Sequence, residues 1–308
     1  EILIVDNFNK NNSFSNILGC DFVDLISISD FEENIIKNKY KEFDIILHQG
    51  ACSDTMEEDG EFVFRNNYRY SKKILEFCLL NNVRLVYASS AAVYGNSENF
   101  RELPINENPI NIYGFSKLCF DNLVRKNLNK SVQIAGLRYF NVFGPGEDFK
   151  DKMSSIVFQL FFQQINENKM NLFGKTKNCL SGEQKRDFIY IEDIINFNWF
   201  LITNSQISGI FNAGTGQSNT FNNFSKYVFE SIDSFYYKNK LAKTSKFNLK
   251  PNINFIEFPS KLIGKYQEYT KADIKNIRNE GFKYVFPPLA DSINDYVNYL
   301  MKKNNYDL

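Results

Sequence analysis

Arg84-Leu-Val-Tyr-Ala-Ser-Ser-Ala-Ala-Val-Tyr-Gly95 is where the fold becomes readable. Arg84 to Ala88 has the short apolar character of a buried strand, and it stops at Ser89, Ser90 and a turn of small residues. Working outward, similar runs recur at Ile2 to Val5, Asp44 to His48, Gln133 to Tyr139 and Ile210 to Ala213. Between them lie longer segments with helical spacing. Glu61 to Leu80 turns Val63, Ile74, Leu75, Cys78 and Leu79 inward, and Tyr113 to Asn127 turns Phe120 and Leu123 inward. A last helix carries Leu289, Ile293, Val297 and Leu300 on one face, behind Pro287 and Pro288. Alternation of this kind predicts an α/β fold with a parallel sheet.

Composition narrows the function. The 36 Lys and Arg of this 308-residue chain balance its 36 Asp and Glu, so no charge excess recommends nucleic acid or an anionic membrane as partner. Cys20, Cys52, Cys78, Cys119 and Cys179 lie far apart, and His48 is the single histidine. That set argues against structural zinc and a disulfide framework, so no metal is expected. No apolar run reaches the roughly 18–20 residues that span a bilayer, and no signal peptide opens the chain. A cytoplasmic protein is the expectation.

One absence bears on the fold. None of the 15 glycines forms GxGxxG or GxxGxxG. The opening run ends in Asp6, where a dinucleotide fold keeps the acid on its adenosine ribose after the second strand. The expectation is therefore that a first strand, glycine-rich turn and helix, about 25–30 residues, is missing from the sequence. A chain lacking that helix N-terminus is expected to bind cofactor poorly.

The chemistry centres on Tyr113-Gly-Phe-Ser-Lys117. A tyrosine and a lysine four apart share a helix face, and a nearby ammonium is expected to lower the phenol from its usual pKa of about 10. Such a phenol serves as a general acid/base while hydride leaves the neighbouring carbon. Alone the pattern is weak, because most such pairs are amphipathic surface. Ser89 and Ser90 sit at the C-terminal end of a strand, the edge where open α/β sheets bind ligands, although a serine-rich turn also serves simply to cap. Arg138-Tyr-Phe-Asn-Val-Phe-Gly-Pro145 follows another strand at the same edge. Serine, YxxxK and RYFNVFGP in this order are specific together.

These motifs resemble the extended short-chain dehydrogenase/reductase family, and within it the ADP-glyceromanno-heptose 6-epimerase family. The resemblance rests on His48 to Asp54, Asp59 to Tyr68, Tyr87 to Gly95, Tyr113 to Lys117 and Arg138 to Pro145. It continues through Lys185 to Tyr190, Gly209 to Gly216 and Gly264 to Thr270. It implies a doubly wound, Rossmann-like dinucleotide domain (1–168 plus 186–237) and a smaller α/β substrate domain (169–185 plus 238–308). The activity implied is epimerisation of ADP-D-glycero-D-manno-heptose at C6 through a 6-keto intermediate, which supplies lipopolysaccharide core synthesis. A ring-like homo-oligomer such as a pentamer is implied as well.

By the same resemblance Tyr113 and Lys150 are the two acid/bases, assisted by Ser90. A second base makes sense because the C6 hydroxyl points in different directions in substrate and product. Asp6, Asn7, Gln49, Gly50, Ala51, Cys52, Ser53, Asn66, Lys117, Val142 and Lys150 would line the cofactor. Asn141, Lys152, Gln159, Phe173, Gly174, Lys175, Thr176, Arg186 and Tyr266 would join Ser90 around the substrate. Lys152 and Gln159 depart from the serine and histidine of the bacterial pattern, and the segment 174–184 is longer than that pattern. NADP is the cofactor implied, with NAD as the other candidate: Asp6 ordinarily favours NAD, and Ser13 stands where a lysine often meets the 2′-phosphate, with Lys10 nearby. The alternatives are a 4-epimerase or dehydratase of nucleotide sugars, or a catalytically silent cofactor-sensing regulator. His48 reads as a core histidine, and no neighbouring base activates Cys52.

Overall fold

Strands formed by runs of apolar residues on both faces need helices on both faces, and that is the arrangement around β4 (Arg84–Ser90). The computed structural model describes all residues except 9–12, 41–42, 129–131, 177, 240–249, 263, 265 and 307–308, so Lys10 lies outside the described residues. These gather into two units. The first comprises 1–140, 195–213 and 273–283; the second comprises 141–194, 214–272 and 284–308. The division differs from the sequence-based boundaries in giving 141–168, 186–194 and 214–237 to the second unit and 273–283 to the first.

In the first unit, β3 (Ile45–His48), β4, β5 (Ile134–Tyr139) and β10 (Gly209–Ala213) form one parallel sheet in the order β10-β5-β4-β3. Val86 pairs with Ala135, Tyr87 with Gly136 and Ser90 with Tyr139. β1 (Leu3–Val5) pairs with β2 (Asp24–Ile26) as a separate parallel ribbon. α1 (Ile28–Ile36) follows it, its N-terminus capped by the Ser27 hydroxyl. Phe31 and Ile35 of α1 pack with Leu85, Tyr87 and Ile134 of the sheet. Burying one such side chain is worth about 1.5–3 kcal/mol.

The segment read as one helix over 61–80 is three pieces. α2 (Gly60–Phe64) runs into a π turn at Arg65–Arg69, and α3 (Tyr70–Asn81) resumes the ordinary winding. The wide turn rotates the helix by one extra residue and buries the polar Asn67 to 1% exposure. α4 (Ile112–Arg125) packs Phe120 and Val124 into the same core, and α8 (Lys275–Asn279) completes the unit.

The second unit is built from short strand pairs around aromatic helices. β6 (Asn141–Phe143) runs parallel to β9 (Phe188–Tyr190), and β7 (Met170–Phe173) runs parallel to β12 (Ile253–Ile256). β8 (Lys185–Arg186) pairs antiparallel with β11 (Asn219–Thr220). α5 (Ile156–Glu167), α7 (Phe221–Lys238) and α9 (Leu289–Lys303) close over Phe161, Phe224, Val228, Ile293 and Val297. α6 (Ile191–Thr203) follows β9, and its residues from 195 onward belong to the first unit. No described helix is long and apolar enough to cross a membrane.

Candidate active site

Ser90 and Tyr113 meet because two local signals agree. Ser90 ends β4, and its hydroxyl caps the short turn 91–94 by accepting from the Ala92 amide at 3.1 Å. Asn111 caps α4 in the same way, accepting from the Gly114 amide at 2.8 Å. Gly114 permits the approach of these two segments: a Cβ there would stand 2.6 Å from the Ala92 carbonyl oxygen. With that side chain absent, the first turn of α4 rests on the turn after β4, and the Tyr113 phenol comes near enough to Ser90 for that hydroxyl to favour its ionised form. The neighbouring Ser89 is not equivalent, because its hydroxyl donates to Asp121 at 3.0 Å.

Burial pushes the Tyr113 phenol above its ordinary value, the Ser90 hydrogen bond pulls it down, and the Cys52 thiol pushes it up. This corrects the expectation that Lys117 lowers the phenol. The Lys117 ammonium is buried and donates to the Ala88 carbonyl at 2.9 Å. Desolvation lowers it to about 8, against the raising influence of Asp121 and Cys52. The resting pair is thus a neutral phenol and a largely charged ammonium near pH 7.

The segment expected to line the cofactor follows β3. Asn67 braces it from the π turn, accepting from the Cys52 amide at 2.8 Å and donating to the Cys52 carbonyl at 3.0 Å. The same amide group donates to the Ser116 hydroxyl at 3.1 Å, which joins the segment to α4 between Tyr113 and Lys117. Gln49 accepts from the Tyr139 hydroxyl at 2.7 Å, while Gly50 and Ser53 are exposed and Ala51 is half-buried. Burial pushes the Cys52 thiol up, consistent with no nucleophilic role. Asn66 turns back to donate to the Phe62 carbonyl at 2.7 Å. Asp6 accepts from the Phe8 amide at 2.7 Å, and Asn7 accepts from the Ile28 amide at the start of α1 at 2.8 Å.

The second unit holds the remaining candidates. Asn141 and Val142 lie on β6, where the Asn141 amide donates to the Asp187 carbonyl at 3.1 Å and Val142 pairs with Ile189. Lys150 is exposed on the turn 148–153, as is Lys152, and the Lys150 amide donates to the Glu147 carbonyl at 2.9 Å. Gln159 donates to the Ser154 carbonyl at 2.8 Å, tying α5 to that turn. Gly174 donates to the Ile256 carbonyl at 2.8 Å, Thr176 accepts from the Cys179 amide at 3.0 Å, and Lys175 is exposed.

Arg186 sits 4.3 Å above the Tyr266 ring and donates to the Gln267 carbonyl. The Phe173 ring stands edge-on to Tyr266 at 5.8 Å. The Arg186 Nε is buried without a protein partner. Asp187 does not neutralise this arginine; its carboxylate accepts from Thr215, Gly216 and Ala272. A planar guanidinium on an aromatic platform with a spare buried donor is suited to an anionic, phosphate-like group.

Sequence reasoning missed Asn67 and Asp121. Asp121 continues the four-residue step from Tyr113 through Lys117, so its signal was present in the spacing. Asn67 had none, because the π turn that buries it has no marker in the residue pattern.

Residues 1–214 match the NAD dependent epimerase/dehydratase family. The chain is 37% identical over 303 residues to an ADP-L-glycero-D-manno-heptose-6-epimerase of Cupriavidus pinatubonensis, covering 98% of this chain and 91% of that protein. The crystal structure of the Helicobacter pylori ADP-L-glycero-D-manno-heptose-6-epimerase is similar with a TM-score of 0.79 at 30% identity, over 97% of this chain and 87% of that one. A UDP-N-acetylglucosamine 4-epimerase of Methanobrevibacter ruminantium shares the fold at 21% identity, with a TM-score of 0.78 over 98% of this chain and 90% of that one.

Proposed function

Because this chain belongs to the NAD dependent epimerase/dehydratase family, we propose that it inverts C6 of ADP-D-glycero-D-manno-heptose through a 6-keto intermediate, with NADP as its cofactor. The observation that carries the reading is the buried Tyr113 phenol beside Ser90, with the Lys117 ammonium one helical turn on and held by the Ala88 carbonyl. The named relative at 37% identity supports the choice of substrate.

The donor set suits a nicotinamide dinucleotide. Lys117 donates one N–H to the Ala88 carbonyl and has two more for ribose hydroxyls, and the backbone of 49–53 is braced by Asn67 and Gln49. Asp6 and Asn7 are assigned to the adenosine ribose, and Asn66 and Val142 to the remainder. A bound nicotinamide would supply the hydride acceptor for C6 and the donor that reduces the ketone from its other face. Tyr113 takes the C6 hydroxyl proton in one epimer, with Ser90 holding the oxygen by a shared hydrogen bond. Lys150 serves the other epimer, whose hydroxyl points elsewhere. Arg186 grips the diphosphate, Tyr266 and Phe173 pack the nucleotide, and Asn141, Lys152, Gln159 and the segment 174–176 complete the substrate contacts. We place the reaction in lipopolysaccharide precursor synthesis, in the cytoplasm, carried out by a homo-oligomer such as a pentamer.

The test is turnover of ADP-D-glycero-D-manno-heptose followed by NMR, with UDP-galactose as the competing substrate. Tyr113→Phe is expected to lower kcat by about 10²–10⁴-fold at unchanged thermal midpoint. Preference for UDP-galactose overturns the substrate assignment, and full activity of Tyr113→Phe overturns the mechanism. Chromatography of cofactor released on denaturation decides NADP against NAD, and light scattering decides the assembly.

A further inference from the structure

Beyond Tyr113 and Lys117, a third residue on the same stripe of α4 carries a buried charge that the proposed reaction does not use. Asp121 is fully buried, one turn past Lys117. Its Oδ1 accepts from the Tyr87 hydroxyl at 2.9 Å, and its Oδ2 accepts from the Ser89 hydroxyl at 3.0 Å and from Arg138 Nε at 2.9 Å. Tyr87 and Ser89 flank Ala88, the residue whose carbonyl receives the Lys117 ammonium. Arg138 is itself fully buried, lies 4.9 Å above the Tyr94 ring and is shared with Glu107, which also pairs with Arg125.

Charges therefore alternate through the interior of this unit: Lys117, Asp121, Arg138, Glu107, Arg125. A carboxylate with no exposure costs a great deal unless it is paired and hydrogen-bonded. Here three donors from two strands meet it. The sheet makes room for this arrangement at Gly136, where a Cβ would stand 2.4 Å from the Tyr87 ring. Without that gap the Tyr87 phenol has no path across β5 to the carboxylate.

We infer that Asp121 is a positioning residue for the acid/base helix, holding the Lys117 ammonium charged and fixing α4 against β4. Resting on the function proposed above, the inference deepens it by naming what keeps its lysine ionised. The groups facing Lys117 are few. Asp121 comes from α4, the Cys52 thiol from the segment after β3, and His48 from β3, with Tyr113 one turn back on α4. His48 is neutral at working pH, since burial lowers it to about 3, and burial holds the Cys52 and Tyr113 protons on. Asp121 is the one anion in the set, paired directly with Arg138, so removing its charge removes the negative charge that acts on the desolvated ammonium.

The experiment reads Lys117 directly by 15N-lysine NMR of the Nζ group, assigned with Lys117→Arg, and needs no substrate. In the parent the midpoint is expected near 8. In Asp121→Asn, which keeps the shape of the side chain, it is expected to fall by about one pH unit, and the alkaline limb of kcat with it. Tyr87→Phe removes a hydrogen bond but no charge, so its midpoint is expected to stay with the parent's even as its thermal midpoint drops. An unmoved Lys117 midpoint in Asp121→Asn overturns the inference, and so does an equal shift in Tyr87→Phe. If Asp121→Asn does not fold, the parent alone decides: a midpoint at the about 5–6 of an uncompensated buried lysine refutes the role. A parent without turnover but with the expected titrations would sink the proposed function and leave this assignment standing.

Discussion

Lowering the pH from 7 to 5 should cost this protein stability through one identifiable group. His48 is the single histidine, ends β3 and is 9% exposed. Its Nε2 lies 2.8 Å from the Ser71 hydroxyl, which already donates its proton to the Asn67 carbonyl at 2.9 Å. Ser71 must therefore accept, and the ring is the neutral tautomer protonated on Nε2. Burial, reinforced by the Lys117 charge, lowers the imidazole from 6.5 to about 3. A base depressed in the folded state leaves the unfolded chain binding the extra proton below 6.5. The associated stability is fully present above that value and is lost as pH falls toward 3. Integrated from pH 7 to 5 the loss is about 2 kcal/mol, and it hardly depends on the folded value so long as that lies below about 4.

Urea unfolding of the parent and of His48→Gln at pH 7, 6 and 5 isolates the effect, because carboxylate titrations shared by the two proteins cancel in the difference. The parent should lose about 2 kcal/mol more than the variant over that range. Parallel pH dependences would refute the reasoning, as would a single imidazole resonance titrating near 6.5 in the folded protein.

Two further outcomes follow from close contacts. Arg186→Lys keeps the charge but loses the planar stack on Tyr266, so KM for the ADP-sugar should rise about tenfold with kcat little changed, read from initial rates. Gly136→Ala forces the Tyr87 ring off Asp121 and should cost about 1–3 kcal/mol in urea unfolding, with Tyr87→Phe adding less on that background than alone.

The parallel sheet was legible because β4 and β5 are buried along nearly their whole length and so appear as bare apolar runs, with β3 as a third such run at the edge. Tyr113 and Lys117 were legible because a helical step of four is written directly in residue numbers. The π turn was hidden, since one extra residue in a winding leaves apolar spacing almost intact. Arg186 over Tyr266 was reachable only through the resemblance, because 79 intervening residues separate partners that the bridge between Lys185 and Tyr269 brings near. The compact units divide the chain differently from the sequence-based boundaries, most visibly at β6, which directly follows β5. Only its pairing with β9, a non-local event, assigns it to the second unit.

The two pKa directions at the candidate site reverse the order of events that the YxxxK pattern alone suggests. A phenol lowered by its lysine would ionise first as pH rises, and activity would climb toward alkaline pH. In this structure burial raises the phenol and lowers the ammonium to about 8, so the ammonium loses its proton before the phenol does. Turnover should then fall on the alkaline side at the point where Lys117 becomes neutral. Burial sets that point, and the carboxylate that opposes it lies one turn further along α4, sealed from solvent by Tyr87, Ser89 and Arg138. The working range of the acid/base thus depends on burial and on a charge that touches neither of the groups expected to exchange protons with the sugar.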